Sequence, residues 1–178
     1  KSKTVYAHWK NIYTVTLETN DGESTPDTID VVEGNEVGPL PVPTWNKHQF
    51  DNWYTGLTDG TIVDANFKPT SDVTIFAHWK NIYTVTFNPN GGTVDPISRD
   101  ILEGDEIGSL PTPTSQYVFV GWYDGLTDGT KVENSFKPSG DITIYANYRT
   151  GTKVPTGNTE DDDWKTIEWV SENAEDNS

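Results

Sequence analysis

The stretch Ala-His-Trp-Lys-Asn-Ile-Tyr-Thr-Val-Thr fills residues 7–16 and returns letter for letter at residues 77–86. Within it, Tyr13 and Val15 alternate with threonines, and the alternation continues to Leu17. A period of two with β-branched and aromatic residues is typical of a half-buried strand. The stretch therefore predicts a β fold, and its recurrence predicts that this fold is built more than once along the chain.

Further motifs recur in the same order as this stretch. They are Leu-Pro-x-Pro-Thr at 40–44 and 110–114, Trp-Tyr-x-Gly-Leu-Thr-Asp-Gly-Thr at 53–61 and 122–130, and Phe-Lys-Pro at 67–69 and 136–138. The repeats divide the chain into four parts. We expect the last strand of an upstream repeat at 1–10, one module at 11–80, a second module at 81–149, and an acidic linker or tail at 150–178 with a short helix or the start of a following domain.

Strand and turn signals dominate both modules. The first module is predicted to have strands near 13–17, 29–33, 50–54, 62–63 and 73–79, and the second near 83–87, 100–103, 119–123, 131–132 and 142–148. Gly22 and the Gly91-Gly92 pair follow the first strand of each module, where glycine would supply the positive φ of a tight turn. Only Lys80 and Asn81 lie between the last strand of the first module and the first strand of the second, and so short a junction predicts a stiff rod.

Composition and charge argue against several classes of function. The formal net charge of −16 argues against binding to nucleic acid or an anionic membrane surface, because both are bound through basic patches. No run reaches the roughly 18 apolar residues that a membrane span needs, so no membrane insertion of this fragment is expected. The absence of cysteine fits an exported bacterial protein and a cytosolic protein nearly equally. We expect a monomer.

The motifs together resemble the Listeria–Bacteroides repeat, the internalin B-repeat type of module. The resemblance rests on Tyr-Thr-Val-Thr-Phe-Asn-Pro-Asn-Gly-Gly at 83–92, a Glu-Gly turn, Leu-Pro-x-Pro-Thr, Phe-Val-Gly-Trp-Tyr at 119–123 and Asp-Ile-Thr-Ile-Tyr-Ala-Asn-Tyr at 141–148. The first module departs from it at Asn52, where the second has Gly121. The resemblance implies small β-grasp-like modules in tandem on secreted or wall-attached bacterial proteins, serving as stalks or adhesion units, without catalytic residues.

Strand pattern and resemblance together give the expected fold class. It is mostly β, α+β at most, with tandem β-grasp-like modules arranged as a rod. Each module is expected to be a mixed sheet of four to five short strands with little helix.

No set of residues indicates catalysis, a cofactor or a metal. His8 and His78 share a repeat position that is Asn147 in its third occurrence, so they are expected to be strand-surface residues. The recurring acids Glu33, Asp72 and their counterparts lie beside turns or at strand entries, where local hydrogen bonding accounts for them. We therefore expect no enzyme. A calcium site is harder to exclude, because the acidic tail offers oxygen ligands.

The aromatic residues fall into two sets. Those that recur are expected in the core: Trp9, Trp79 and Tyr148 at one repeat position, and Trp53 and Trp122 at another. Those that do not recur, or that lie in loops or the tail, are the candidate binding residues: Trp45, His48, Tyr117, Trp164 and Trp169. A loop tryptophan is usually a packing residue, but Trp45 is the best candidate for contact with a partner or a sugar.

Three functions stay open. The preferred one is a non-catalytic stiff stalk of a bacterial cell-surface or secreted protein. The second is an adhesin module that binds a host or matrix protein or glycan through the Trp45 loop, in which case Trp45 would be replaceable without loss of melting temperature. The third is the accessory region of a secreted carbohydrate-active enzyme.

Overall fold

A computed structural model describes residues 3–24 and 26–149 of the chain, and those residues contain nine strands and no helix. The strands are β1 Ile12–Glu18, β2 Thr28–Val32, β3 His48–Tyr54, β4 Ile62–Val63, β5 Val73–Asn88, β6 Ser98–Leu102, β7 Val118–Tyr123, β8 Lys131–Val132 and β9 Ile142–Arg149. The tail helix predicted within 150–178, with Trp164 and Trp169, lies outside the described residues.

The chain forms two compact units, Lys1–Asn81 and Ile82–Ser178. In the first unit the strand order is β2-β1-β5-β3-β4. Strand β1 runs parallel to the first part of β5, with Val15 opposite Val73, and every other pair in the unit is antiparallel. The second unit repeats this order as β6-β5-β9-β7-β8, in which the second part of β5 runs parallel to β9. The prediction of a mostly β fold with mixed sheets is confirmed.

Each unit packs one face of its strands into a separate hydrophobic core. In the first unit Val15, Ile75 and Trp53 are buried together with Leu17, Val31, Val37, Val63 and Ala77. In the second unit the corresponding core holds Val85, Phe87, Ile101, Ile107, Trp122, Val132, Ile144, Ala146 and Tyr148. The core side chains that lie in strands come from alternate positions, as the period-two pattern predicted, because successive residues of a strand face opposite sides of the sheet. Val37 and Ile107 join the two cores from outside the strands.

The predicted core positions of the recurring aromatics are right for four of the five residues and wrong for Trp9. Trp53, Trp122 and Tyr148 are buried and Trp79 is half-buried, whereas Trp9 is 92% exposed. Residues 3–11 contain no strand. Trp79 lies in β5 and packs on Phe50 of β3, whereas Trp9 lies in a segment that forms no strand.

The turn glycine Gly22 has a structural role different from the predicted one, which was to supply a positive φ. The positive φ angles of this turn fall on Asn20 (51°) and Asp21 (74°), not on Gly22. Gly22 instead lies against the ring of Trp79, where a Cβ would overlap the indole. In the second unit Gly91 does have a positive φ of 94°, while Gly92 provides space beside Thr114 O and the Tyr148 hydroxyl.

The recurring acid before each final strand has the local role that its position predicted. Asp72 Oδ1 accepts a hydrogen bond from Thr14 N at 2.9 Å, and Asp141 Oδ1 accepts one from Thr84 N at 2.7 Å. Each carboxylate thus joins the start of the last strand to the first strand of its unit, where the two strands run parallel.

Candidate binding cleft of the first unit

The loop that carries Trp45 begins at a fixed point on the core. The indole Nε1 of buried Trp53 donates a hydrogen bond to Pro41 O at 2.8 Å. Thr44 and Glu23 then exchange two backbone hydrogen bonds of 2.8 and 2.9 Å, which form an isolated β-bridge. The prolines of Leu-Pro-x-Pro-Thr keep this segment out of the sheet, since proline has no amide hydrogen to donate. Trp45 therefore follows directly on an anchored segment.

Trp45 and His48 face each other across a tight turn. Lys47 adopts a positive φ of 59°, and the His48 amide donates to Trp45 O at 3.2 Å. The two rings stack with centroids 3.4 Å apart and planes 5° from parallel. His48 Nδ1 lies 2.8 Å from Asn46 O. The structure thus brings together two of the residues predicted to bind, and one face of each ring is covered by the other.

Trp45 also packs on Trp79, which connects the loop to the core. The rings of Trp45 and Trp79 are 5.7 Å apart and meet edge to face at 77°. Trp79 in turn contacts Phe50 edge to face at 5.6 Å, and its Nε1 donates to Thr19 O at 2.9 Å. Trp45 is therefore half-buried and held in place, so the expectation that it could be removed without loss of melting temperature is not supported by its packing.

An open cleft of about 690 Å³ lies beside these rings. Trp45 and Trp79 form part of its wall, together with His78 of β5. The carboxylates of Glu18, at the end of β1, and Asp21, in the following turn, line it as well. Leu57, which is 59% exposed, adds an apolar side chain to the lining. The cleft therefore combines aromatic walls with two exposed acids.

His78 is held at the cleft by two contacts. Its Nε2 lies 2.9 Å from Gly56 O, and its ring stacks on Tyr54 with centroids 4.0 Å apart. The Tyr54 hydroxyl donates to Asp51 Oδ2 at 2.8 Å. This hydrogen bond, with burial and the negative charge of Asp51, raises the pKa of Tyr54 above its ordinary value. His78 was expected to be a plain strand-surface residue, but it lies in a defined aromatic and polar setting.

The second unit keeps the framework around this position but not the chemistry of the cleft. Trp122 Nε1 donates to Pro111 O at 2.8 Å, as Trp53 does to Pro41 O. The Tyr148 hydroxyl donates to Pro89 O at 2.7 Å, as Trp79 does to Thr19 O. By the repeat register, the residues equivalent to Glu18, Asp21, Trp45, His78 and Trp79 are Asn88, Gly91, Ser115, Asn147 and Tyr148.

Tyr117, predicted as a binding residue, packs on the second unit. It is half-buried and contacts the core of the second unit, and its amide donates to Ser115 Oγ at 3.3 Å. The other two predicted residues, Trp164 and Trp169, lie outside the described residues.

Of the nine lining residues of the cleft, only Trp45 was predicted to bind, so the polar residues Glu18, Asp21 and His78 were missed. A signal for them was present, since all three differ between the two copies. Their clustering depends on the parallel pairing of β1 with β5, which brings Leu17 opposite Ile75.

The described part of the chain contains no group of three or more His, Cys, Asp or Glu residues placed to hold a metal ion. Residues 3–24 and 26–149 also contain no helix of the length and apolar character that a membrane span requires. What the cleft offers chemically is aromatic contact, hydrogen bonding and negative charge.

Comparison with known proteins identifies the family of both units. The family model described as the Listeria-Bacteroides repeat domain matches residues 13–78 and again residues 83–147. The chain belongs to the Listeria-Bacteroides repeat domain family. The resemblance found in the sequence is thereby confirmed, and the two matched segments are the two repeats described above.

The repeats are shared with longer bacterial proteins. Over 88% of this chain, it is 32% identical to Internalin H of Listeria monocytogenes, and the matched region is 30% of that protein. It is also 31% identical over 82% of its length to a putative membrane protein and to a putative Gly-rich membrane protein of Evansella cellulosilytica, of which 22% and 17% are matched. The chain therefore spans less than a third of each of these relatives.

Proposed function

We propose that the two repeats act as a non-catalytic, stiff spacer in a bacterial cell-surface or secreted protein. The observation that carries the proposal is tandem repetition with a minimal junction. Residues 13–78 and 83–147 are two copies of one repeat domain. The junction between Trp79 at the end of the first copy and Ile82 at the start of the second consists of Lys80 and Asn81. A junction of two residues gives neighbouring modules little freedom to move.

The share of each relative that is matched is compatible with this role. The matched region is 30% of Internalin H and 22% and 17% of two putative membrane proteins, so most of each relative lies outside the match. A spacer of an extracellular or wall-attached protein would hold the other parts away from the cell.

Small-angle X-ray scattering of the 178-residue chain tests the spacer. We expect a rigid, elongated particle. A matched variant with a Gly-Ser-Gly-Ser insertion between Lys80 and Asn81 should give a broader distribution of distances. If the parent chain and the insertion variant give the same broad distribution, the spacer is not stiff and the proposal fails.

A second function, adhesion through the first unit, is favoured by the cleft. It is lined by Trp45, His78 and Trp79, whose counterparts in the second unit are different residues. Binding of the chain to a panel of host and matrix proteins and glycans, with loss on Trp45→Ser, would support adhesion. Binding that is unchanged by this substitution would contradict it.

The third candidate is an accessory region of a secreted carbohydrate-active enzyme. It depends on chain outside residues 1–178, and the sequences flanking this segment in its gene test it directly. A glycoside-cleaving domain beside the repeats would support it. Flanks that carry only further repeats and anchoring segments would reject it.

A further inference from the structure

The cleft of the first unit has an uneven charge. Its nine lining residues, all within the described part of the chain, include Glu18 and Asp21 but no Lys or Arg. Both carboxylates are exposed to solvent. The whole chain has a formal net charge of −16, so long-range attraction also favours a cationic ligand.

The aromatic walls suit a cation better than a sugar ring. Trp45 and Trp79 meet at 77°, so they form a corner and not a flat platform on which a pyranose could lie. The stacked His48 ring covers one face of Trp45. Aromatic faces attract ammonium and guanidinium groups through their quadrupole, and nearby carboxylates strengthen that attraction. A neutral sugar could donate hydroxyl hydrogen bonds to the carboxylates, but only a cation would also gain the Coulombic attraction.

We propose that this cleft binds an arginine side chain presented by a basic segment of a partner protein. A guanidinium group can contact an aromatic face and donate in-plane hydrogen bonds to carboxylates at the same time. The cleft provides both partners: the indoles of Trp45 and Trp79, and the carboxylates of Glu18 and Asp21.

The cleft has room for a segment of chain beside the arginine side chain. Its volume of about 690 Å³ lies in the usual range for ligand sites, roughly 300–1,000 Å³, and greatly exceeds the space that a guanidinium group needs. Leu57 and Thr58 supply apolar and hydroxyl contacts in the same lining. These would face the residues next to the arginine.

The second unit supplies matched variants for the test. Glu18→Asn with Asp21→Gly, Trp45→Ser and His78→Asn each introduce the residue that the second unit has at the equivalent position. Asp21→Gly also relieves a positive φ of 74°. Asp105→Asn in the second unit introduces the residue that the first unit has at Asn35, and it serves as a control that removes one charge outside the cleft.

The experiment is a calorimetric titration of the 178-residue chain and its variants with three peptides. One is acetyl-Gly-Arg-Gly-Arg-Gly-amide, one has lysine in place of arginine, and one has citrulline, the neutral analogue of arginine. Tryptophan fluorescence follows the same titrations. Thermal unfolding of each variant checks that it is folded.

We expect the arginine peptide to bind best, the lysine peptide more weakly and the citrulline peptide not at all. Replacing both acids should weaken binding by about tenfold, since exposed ion pairs are worth roughly 0.2–1 kcal/mol each. Trp45→Ser should weaken binding by about fivefold, which matches a cation–π contact of roughly 1 kcal/mol. Asp105→Asn should bind like the parent chain.

Several results would overturn the proposal. Equal binding of the arginine and citrulline peptides would show that charge is not recognised. Equal losses in Asp105→Asn and in the double acid variant would show unspecific attraction to a polyanion. No binding of the arginine peptide, or Trp45-dependent binding of a neutral oligosaccharide in its place, would reject an arginine site. None of these outcomes bears on the spacer, which scattering tests separately.

Discussion

Gly22 lies against the ring of Trp79, in a position where even one added methyl group would overlap the indole. The neighbouring residues Asn20 and Asp21, not Gly22, have the left-handed backbone of this turn. The glycine is therefore required because the turn closes directly over an aromatic ring. The second unit repeats this relationship between Gly92 and the hydroxyl of Tyr148.

Gly22→Ala should destabilise the first unit. Forcing a methyl group into a filled space typically costs about 1–3 kcal/mol, because the ring and the turn must move apart. Gly140→Ala is the matched control, since a Cβ there meets nothing within 4 Å and its φ is not positive. Thermal unfolding should show a lower midpoint for Gly22→Ala than for Gly140→Ala. Equal midpoints would contradict this account of the turn.

Asp72→Ala should weaken the first unit by about 1–2 kcal/mol, and Asp141→Ala the second by a similar amount. Each carboxylate accepts a hydrogen bond from a backbone amide in the first strand of its unit. Hydrogen bonds to charged groups are stronger than those between neutral groups. The asparagine variants keep an oxygen acceptor and should lose less. Urea unfolding of all four variants measures this, and an asparagine variant as unstable as its alanine counterpart would count against the hydrogen bond.

Trp45→Ala should lower the melting temperature of the first unit. The substitution removes ring contacts with His48 and Trp79, and aromatic pairs are worth about 0.5–1.5 kcal/mol beyond the area that they bury. Ser115→Ala at the equivalent position of the second unit is the control and should lower it less, since it removes only the 3.3 Å hydrogen bond from the Tyr117 amide. Calorimetry of both variants tests this expectation, and an unchanged melting temperature for Trp45→Ala would show that its packing is not stabilising.

Tyr54 should make the first unit sensitive to alkali. The bond to Asp51 raises the pKa of Tyr54 in the folded chain above the ordinary value of 10.0. Its stabilising contribution is therefore complete below pH 10 and is lost as the pH rises through the folded-state pKa. Tyr54→Phe should remove this part of the pH dependence, and tyrosinate absorbance at 295 nm should show the loss of one late-titrating group.

The control for this titration is Tyr123→Phe, at the equivalent position of the second unit, where Val120 stands in place of Asp51. Lys131 also has a raised pKa, because its ammonium contacts Glu133 at 2.9 Å, and its contribution is lost over the same alkaline range. The comparison should therefore be made between the two tyrosine variants. A Tyr123→Phe variant that removes the later-titrating group would show that Asp51 does not hold the Tyr54 proton.

The sequence predicted the strands and most of the core because both follow from local patterns. Alternation placed Val15 and Leu17 on one face, and recurrence identified Trp53 and Trp122 as buried. The prediction for Trp9 was wrong because burial depends on contacts with residues that are distant in the sequence. Trp79 makes such a contact with Phe50, whereas Trp9 lies in a segment that forms no strand. The assignment of Gly22 to a positive φ failed for a related reason, since contact with Trp79 is invisible in the local sequence.

The cleft was only partly predictable. Trp45 and His48 are close in the sequence and their proximity was apparent, but Glu18 and His78 meet only through the parallel pairing of β1 with β5. Comparison of the two copies would have selected these residues, because both differ from the second unit. Positions that differ between the two copies indicate a site once the strand order shows which of them lie close together.

The anchoring of the Trp45 loop has a practical consequence for protein engineering. Its entrance is fixed by the hydrogen bond from Trp53 to Pro41 O and by the bridge between Thr44 and Glu23, and the second unit has the same two anchors. The stretch from Thr44 to Phe50 is one residue longer than its counterpart from Thr114 to Phe119, and its composition differs as well. This position is therefore suited to grafting foreign recognition peptides, and tandem copies would display several grafts on one cysteine-free scaffold.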